Sequence, residues 1–237
     1  WKYRHRHLDI PFAFKIFAPS FSEGGGSDLD RFFREARILF RLRHPDIVQI
    51  YDVGMMGRRP FIRMEFCEGE NLNALLRRVG RVPPAAARRL VRRLAGALEH
   101  AHGVGIVHRD LKPSNVMVGP KSANSVRLID FGLGVFVEQD IVSRVTKTGE
   151  AVAGGNYTAP ELYTNPKLID ARTDLYSLGA IWYEMLTGRA PVGAGIHAAL
   201  DEVGDLAPSD RALVLRCLAD LPDRPASAAT ILGELPE

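Results

Sequence analysis

The sequence predicts an α+β protein, strand-rich with one helix in its first part and mainly helical in the rest. Three observations carry this reading. Phe12-Ala13-Phe14-Lys15-Ile16-Phe17 alternates small or charged residues with aromatic or branched ones, the period of a strand. Leu29, Phe32, Phe33, Ala36, Leu39 and Phe40 recur at the spacing of one helix face over residues 28–43. Residues 174–188 are apolar nearly all the way round, the mark of a helix surrounded by other elements. At 237 residues the chain has room for one large domain or two small lobes, and it can bury a sizeable core.

The elements follow in order. Asp9-Ile10-Pro11 is turn-like and leads into the first strand, with Ala13 and Lys15 on one face and Phe12, Phe14 and Ile16 on the other. Residues 18–26 form a Pro/Ser/Gly loop, and Ser27-x-x-Asp30 resembles a capping box before the helix. Glu35 falls along that helix's inward stripe. A buried carboxylate left alone costs about 3–5 kcal/mol, so it needs a partner. Lys15 is the natural one, with Arg31 and Arg34 as surface alternatives. His44-Pro45-Asp46 stops the helix, and residues 47–53 and 60–67 read as strands about a Gly-containing turn. Leu72, Leu75 and Leu76 begin a short helix ending near Gly80. Pro83-Pro84 opens a longer one, with Leu90, Leu94, Ala97, Leu98 and Ala101 as its buried stripe and Gly103 at its end. Short strands are predicted at 115–118 and 126–129, and later helices around Leu213–Leu218 and Ile231–Leu235.

The chemistry concentrates in Ile106-Val107-His108-Arg109-Asp110-Leu111-Lys112-Pro113-Ser114-Asn115-Val116-Met117. Asp110, Lys112 and Asn115 cannot all be core residues, and Pro113 forbids a continuous helix through them. Apolar flanks therefore hold a short loop while an acid, a cation and an amide converge. That set suits phosphoryl transfer, where positioning and charge stabilisation do nearly all the work.

The run H-R-D-L-K-P-S-N resembles the catalytic loop of eukaryotic-type Ser/Thr protein kinases, in the style of bacterial members. The likeness extends from residue 12 to about 228, with motifs in the family's order: F-A-F-K at Lys15, Glu35, the loop at 108–115, Asp130-Phe131-Gly132, Ala159-Pro160-Glu161, the helix at 174–188 and Arg224. It implies a two-lobed kinase fold, a small β-rich lobe (1–67) with one helix and a larger mainly helical lobe (68–237), with ATP between them. It implies that Asp110 accepts the proton of a Ser/Thr hydroxyl on a protein substrate and that Lys112 neutralises charge on the transferred phosphoryl group. Lys15, set by Glu35, would hold the ATP phosphates, and Asn115 and Asp130 would hold Mg²⁺. Ala13 and Met117 would sandwich adenine, Met64 would be the gatekeeper, and Glu65 through Cys67 the hinge. Asn71 would reach the ribose. Asp174 would bond backbone beneath the catalytic loop, and Arg224 would pair with Glu161. Ser143, Thr146 and Thr148 fall in the segment that would be an activation loop, with Arg109 placed to bond a phosphate there.

Two features depart from the family. The Gly-rich loop that covers the phosphates is not in the sequence, which implies either residues upstream in a longer chain or a protein without that lid. The position where Ser/Thr kinases usually carry threonine before A-P-E is Gly154. A pseudokinase scaffold for nucleotide or partners, and a kinase-fold enzyme acting on a small molecule, are the alternative readings. Net charge is only +3, so charge does not point to nucleic acid. The arginines between Arg77 and Arg93, with Arg88/Arg92 and Arg89/Arg93 sharing helix faces, read as a solvated surface. No run is apolar enough to span a bilayer and no signal peptide opens the chain. Cys67 and Cys217, far apart in sequence, read as reduced small hydrophobes, so a cytoplasmic location is expected.

Overall fold

The computed structural model describes residues 1–4, 9–17, 26–120, 125–131, 155–164 and 170–235. Four strands build an antiparallel sheet in the order β1-β2-β4-β3: β1 (Lys2–Arg4), β2 (Pro11–Ile16), β3 (Ile50–Met56) and β4 (Arg59–Glu65). Alternation in β2 sets its two faces. Phe12 and Phe14 pack edge or tilted against Tyr51 and Phe61, each at 5.6 Å between ring centroids, while Ala13 and Lys15 lie opposite Met64 and Ile62 of β4. The β3–β4 hairpin closes with Met56 opposite Arg59, and Gly57 takes φ +61°, which a two-residue II′ turn requires at its first position.

One helix, α1 (Gly26–Arg41), accompanies this sheet. Phe32, Ala36 and Leu39 are buried at helical spacing, but Phe40 is exposed, so the apolar face is narrower than the sequence pattern suggested. The helix already begins at Gly26, and Ser27 lies within its first turn rather than at the cap.

The second part begins with β5 (Glu70–Asn71) and α2 (Leu72–Val79). Asn71 Oδ1 accepts a 2.9 Å bond from the Ala74 N–H and so caps α2. Strand β5 joins β6 (Val116–Val118) and β7 (Val126–Leu128) in a small antiparallel sheet. Both β5 and the short helix named α6 below escaped the sequence reading, being too brief to show a period.

The helical core is α3 (Pro84–Gly103), α4 (Glu161–Thr164), α5 (Ala171–Thr187), α6 (Ile196–Asp201), α7 (Pro208–Cys217) and α8 (Ala228–Glu234). Helix α5 sits at its centre against α3 and α7, with Leu175, Leu178, Ile181 and Trp182 fully buried. Asp170 caps its start through a 2.7 Å bond from the Arg172 N–H, and Gly188 ends it at φ +76°.

The arginines of α3 are not a solvated face. Arg88 Nε bonds the buried Asp210 of α7 at 2.8 Å, Arg92 donates to the Leu235 carbonyl at 3.0 Å, and Arg93 Nε bonds Asp46 at 2.9 Å. Only Arg89 of this group is exposed. The helix surface they occupy is covered by α7, the end of α8 and the turn after α1. The same turn is stitched to β7, where Val48 N–H donates to Leu128 O at 2.9 Å and Leu128 N–H to Asp46 O at 2.8 Å. No helix among the described residues is long and apolar enough to cross a membrane. Cys217 is buried and Cys67 half-buried, both as free thiols.

Candidate active site

The loop between α3 and β6 is held from both ends. Ile106, Leu111 and Val116 are buried, and Pro113 opens the 3₁₀ turn that carries Asn115. From below, the carboxylate of Asp174, on the first turn of α5, is fully buried and takes three donors. These are the backbone N–H of His108 at 2.7 Å, that of Arg109 at 2.9 Å, and His102 Nε2 at 2.8 Å. A carboxylate stripped of water is tolerable only with such saturation. These bonds also hold Arg109 at φ +67°, a left-handed backbone that a non-glycine residue adopts only when its surroundings impose it.

Above this foundation the three polar residues meet. Lys112 Nζ lies 2.9 Å from one Asp110 oxygen and 2.8 Å from the other. Asn115 Nδ2 donates to the Asp110 carbonyl at 2.7 Å and to its carboxylate at 3.1 Å. Asn115 thereby spends its amide N–H groups on Asp110, and its amide oxygen has no partner among the described residues. The neighbouring strand end is tied to the same loop, since Ile129 N–H donates to Asn115 O at 3.0 Å and His108 Nε2 donates to Ile129 O at 3.1 Å. The His108 ring packs 4.5 Å from that of the buried Phe131. Asp130, between them, is held at φ +64°.

Across the cleft, Lys15 Nζ is 3.0 Å from Asp130 Oδ2. The partner expected for Lys15 was Glu35. Its backbone lies in α1, but its side chain is outside the described residues, as are Gly132, Ser143, Thr146, Thr148 and Gly154.

The remaining predicted residues lie on β2, on β6 and at or just after the end of β4. Ala13 on β2 and Met117 on β6 are both half-buried. Met64, buried, lies between Ala13 and Ile50 in the sheet register. Glu65 ends β4, its N–H bonded to Gln49 O at 2.8 Å and its carboxylate 3.6 Å from Arg127. Cys67 follows, its thiol pushed up to about 11 by burial, so it is a neutral packing group. Its backbone N–H has no acceptor among the described residues. A small cavity behind Met64, lined by Leu39, Ile47, Ile62 and Phe131, touches Asp130.

Three features of the site were not read from the sequence. His102 continues the Leu94/Leu98 stripe at i+4, and a polar residue on a buried stripe was the available signal. The Asp46–Arg93 pair had no local signature. Tyr157, whose hydroxyl donates to Glu184 at 2.6 Å, and Ser177, whose hydroxyl donates to Tyr157 O at 2.7 Å, fasten the segment before α4 to α5. Burial raises both the Tyr157 phenol and the Glu184 carboxyl, the bond from Tyr157 only partly offsetting the latter.

A lysine bridging to an acid thus stands beside a loop of acid, cation and amide on a two-lobed α+β fold. Comparison with known families matches residues 1–207 to the protein kinase domain. The chain is 43% identical over 164 residues to serine/threonine-protein kinase pkn2 of Myxococcus xanthus, covering 68% of this chain and 19% of that protein. It is 39% identical over 184 residues to serine/threonine-protein kinase PknL of Mycobacterium tuberculosis, covering 78% and 44%. The Mycobacterium tuberculosis PknI kinase domain superposes with TM-score 0.74 at 25% identity, covering 99% of this chain and 88% of that one. A Rad53 structure in complex with AMP-PNP superposes with TM-score 0.77 at 25% identity, covering 98% and 60%. The chain belongs to the eukaryotic-type Ser/Thr protein kinase family and is similar to its bacterial members. It spans less than half the length of these curated relatives.

Proposed function

We propose that this domain transfers the γ-phosphoryl group of ATP to Ser/Thr hydroxyls of a protein substrate. The observation that carries the proposal is the convergence of Lys112 and Asn115 on the Asp110 carboxylate, tied through Ile129 to an Asp130 that pairs with Lys15. Asp110 then orients the acceptor hydroxyl and takes its proton as the oxygen bonds phosphorus and the β–γ bridging bond breaks, leaving ADP. Lys112, beside that carboxylate, balances charge on the moving phosphoryl group. Lys15 grips the phosphates of the bound nucleotide, and Glu35 on α1 is its second partner. Ala13 and Met117 face the adenine, with Glu65 and the unpartnered Cys67 N–H offering it backbone bonds beside Met64. This hinge divides lobe 1–67 from lobe 68–237.

The donor set suits Mg²⁺. Asn115 offers an amide oxygen and Asp130 a carboxylate, the hard oxygen donors that Mg²⁺ takes. The bound ion would neutralise phosphate charge. The similar Rad53 structure with AMP-PNP supports a nucleotide in the cleft.

Control by phosphorylation of Ser143, Thr146 or Thr148 is part of the proposal. Arg109 supports it, since its Nε is buried with no acceptor among the described residues and a phosphate would satisfy it. Phosphopeptide mass spectrometry of the active protein should find one of these residues modified, and active protein bare at all three would remove this part.

The central test is an ATP/Mg²⁺ transfer assay on the full-length protein with Asp110→Asn as control. Transfer to itself or to a generic protein substrate is expected, with the variant slower by about 100-fold or more. Mg²⁺-dependent nucleotide binding without transfer would instead select a nucleotide-binding scaffold.

A further inference from the structure

Helix α1 carries two stripes. Phe32, Ala36 and Leu39 face the core, while Arg34, Arg37, Ile38 and Arg41, at i, i+3, i+4 and i+7, form a second, exposed line. That line is one wall of a groove of ≈ 560 Å³. The other wall comes from the end of α3, where His100 and Val104 stand, and Arg43 closes the end beyond α1. No acidic side chain lines the groove, and none of the four arginines has an ion-pair partner among the described residues.

What sets this surface apart is the gathering of four such arginines around one recess. Four like charges around one recess repel one another, with i,i+4 and i,i+3 like pairs costing a few tenths of a kcal/mol each on a helix. Some helix arginines elsewhere in this protein are answered by acids, as in Arg78–Glu70, Arg211–Asp201 and Arg216–Glu234, while Arg77 and Arg89 stand singly, exposed and without an ion-pair partner among the described residues. The floor is aliphatic as well: Ile38 is 47% exposed, Val104 57%, and Leu42 lies beneath them.

We infer that this groove docks an acidic polypeptide segment carrying an aliphatic side chain. Guanidinium forks match carboxylates in pairs of bonds, which fits a run of Asp and Glu. An aliphatic floor between them fits one Leu, Ile or Val as anchor. The lining has no aromatic ring other than His100, so it lacks the stacking surface on which single-stranded nucleic acid depends. Charge complementarity thus commits the site to an acidic protein partner. This surface lies outside the proposed transfer site and does not depend on that reading.

The test is fluorescence anisotropy with the 237-residue chain and a short fluorescein-labelled peptide of aspartates and glutamates around a central leucine. Binding is expected to weaken with salt and to fall by roughly tenfold or more in Arg37→Glu/Arg41→Glu. Replacing the leucine by serine in the peptide, or Ile38→Asp in the protein, should also weaken it. Arg37 and Arg41 are exposed and have no ion-pair partner among the described residues, so the double variant should keep its melting temperature and circular dichroism. Unchanged peptide affinity in that folded variant overturns the inference. So does an oligothymidylate that binds as tightly and loses as much, because the groove would then be a general polyanion surface.

Discussion

At the scale of single residues, the site rests on carboxylates whose roles are set by what surrounds them. Asp110 is half-exposed and shared between Lys112 and Asn115, so it is oriented while one side stays open to a substrate. Asp174 is sealed and saturated by backbone, which makes it a brace that never meets the reactants. Removing the two should therefore fail differently. Asp110→Asn should lose transfer while keeping its unfolding midpoint. Asp174→Ala leaves two buried N–H groups and His102 without an acceptor, and should cost about 3–5 kcal/mol in urea unfolding. A destabilisation of less than about 1 kcal/mol would show that the loop holds its shape without the brace. Lys15 is the third case. Its ammonium reaches Asp130, so in this state the lysine and the acid neutralise each other across the cleft. Lys15→Met should weaken binding of a fluorescent ATP analogue by roughly tenfold or more. An unchanged dissociation constant would mean that the lysine does not touch the phosphates.

At the scale of elements, the long and strongly patterned segments were the legible ones. The strand at Phe12, the helices at α1, α3 and α5, and the polar loop at 108–115 all stand where their periodicity or punctuation placed them, because burial of one face dictates such patterns. What escaped was long-range. Arg88, Arg92 and Arg93 looked like a solvated face because their partners Asp210, Leu235 and Asp46 are many residues away, and no local pattern encodes such a meeting. The capping of α2 by Asn71 escaped too, although it is a local role. Close packing is equally silent in sequence. Gly179 on α5 passes so near α7 that a Cβ there would lie 2.4 Å from Cys217 Cβ. Gly179→Ala should lower stability by about 1–3 kcal/mol through overpacking, read as a fall in melting temperature. Cys217→Ala should not rescue it, because alanine keeps the obstructing atom, whereas Cys217→Gly should do so in part. A Gly179→Ala protein that melts like the parent would show that the two helices separate freely.

At the scale of the whole molecule, a few buried ion pairs join parts that the chain keeps far apart. Arg93 reaches Asp46 and so binds α3 to the turn after α1. Arg224 does the same for the base, where Nη2 bonds Glu161 at 2.8 Å and Nε the Ala219 carbonyl at 2.8 Å, fastening the start of α4 to the segment after α7. Both Glu161 and Arg224 side chains are nearly sealed, at 10% and 1% exposed, so removing one partner should cost about 3–5 kcal/mol. Burial pushes the Glu161 carboxyl up, but the bonds from Arg224 and from the backbone outweigh it and leave it below its ordinary value of 4.5. A carboxylate depressed in the folded state contributes stability that is complete above its unfolded value and disappears as pH falls through the folded one. Glu161→Gln, which cannot ionise, removes that contribution at every pH. The gap in melting temperature between the parent and this variant should thus be widest and flat from neutral pH down to about pH 5, then narrow as the medium is acidified further. Differential scanning calorimetry across that range reads it directly. A gap that stayed constant down to about pH 3, or grew there, would show that the Arg224 bond does not hold Glu161 ionised and that the base of the fold is joined by packing alone.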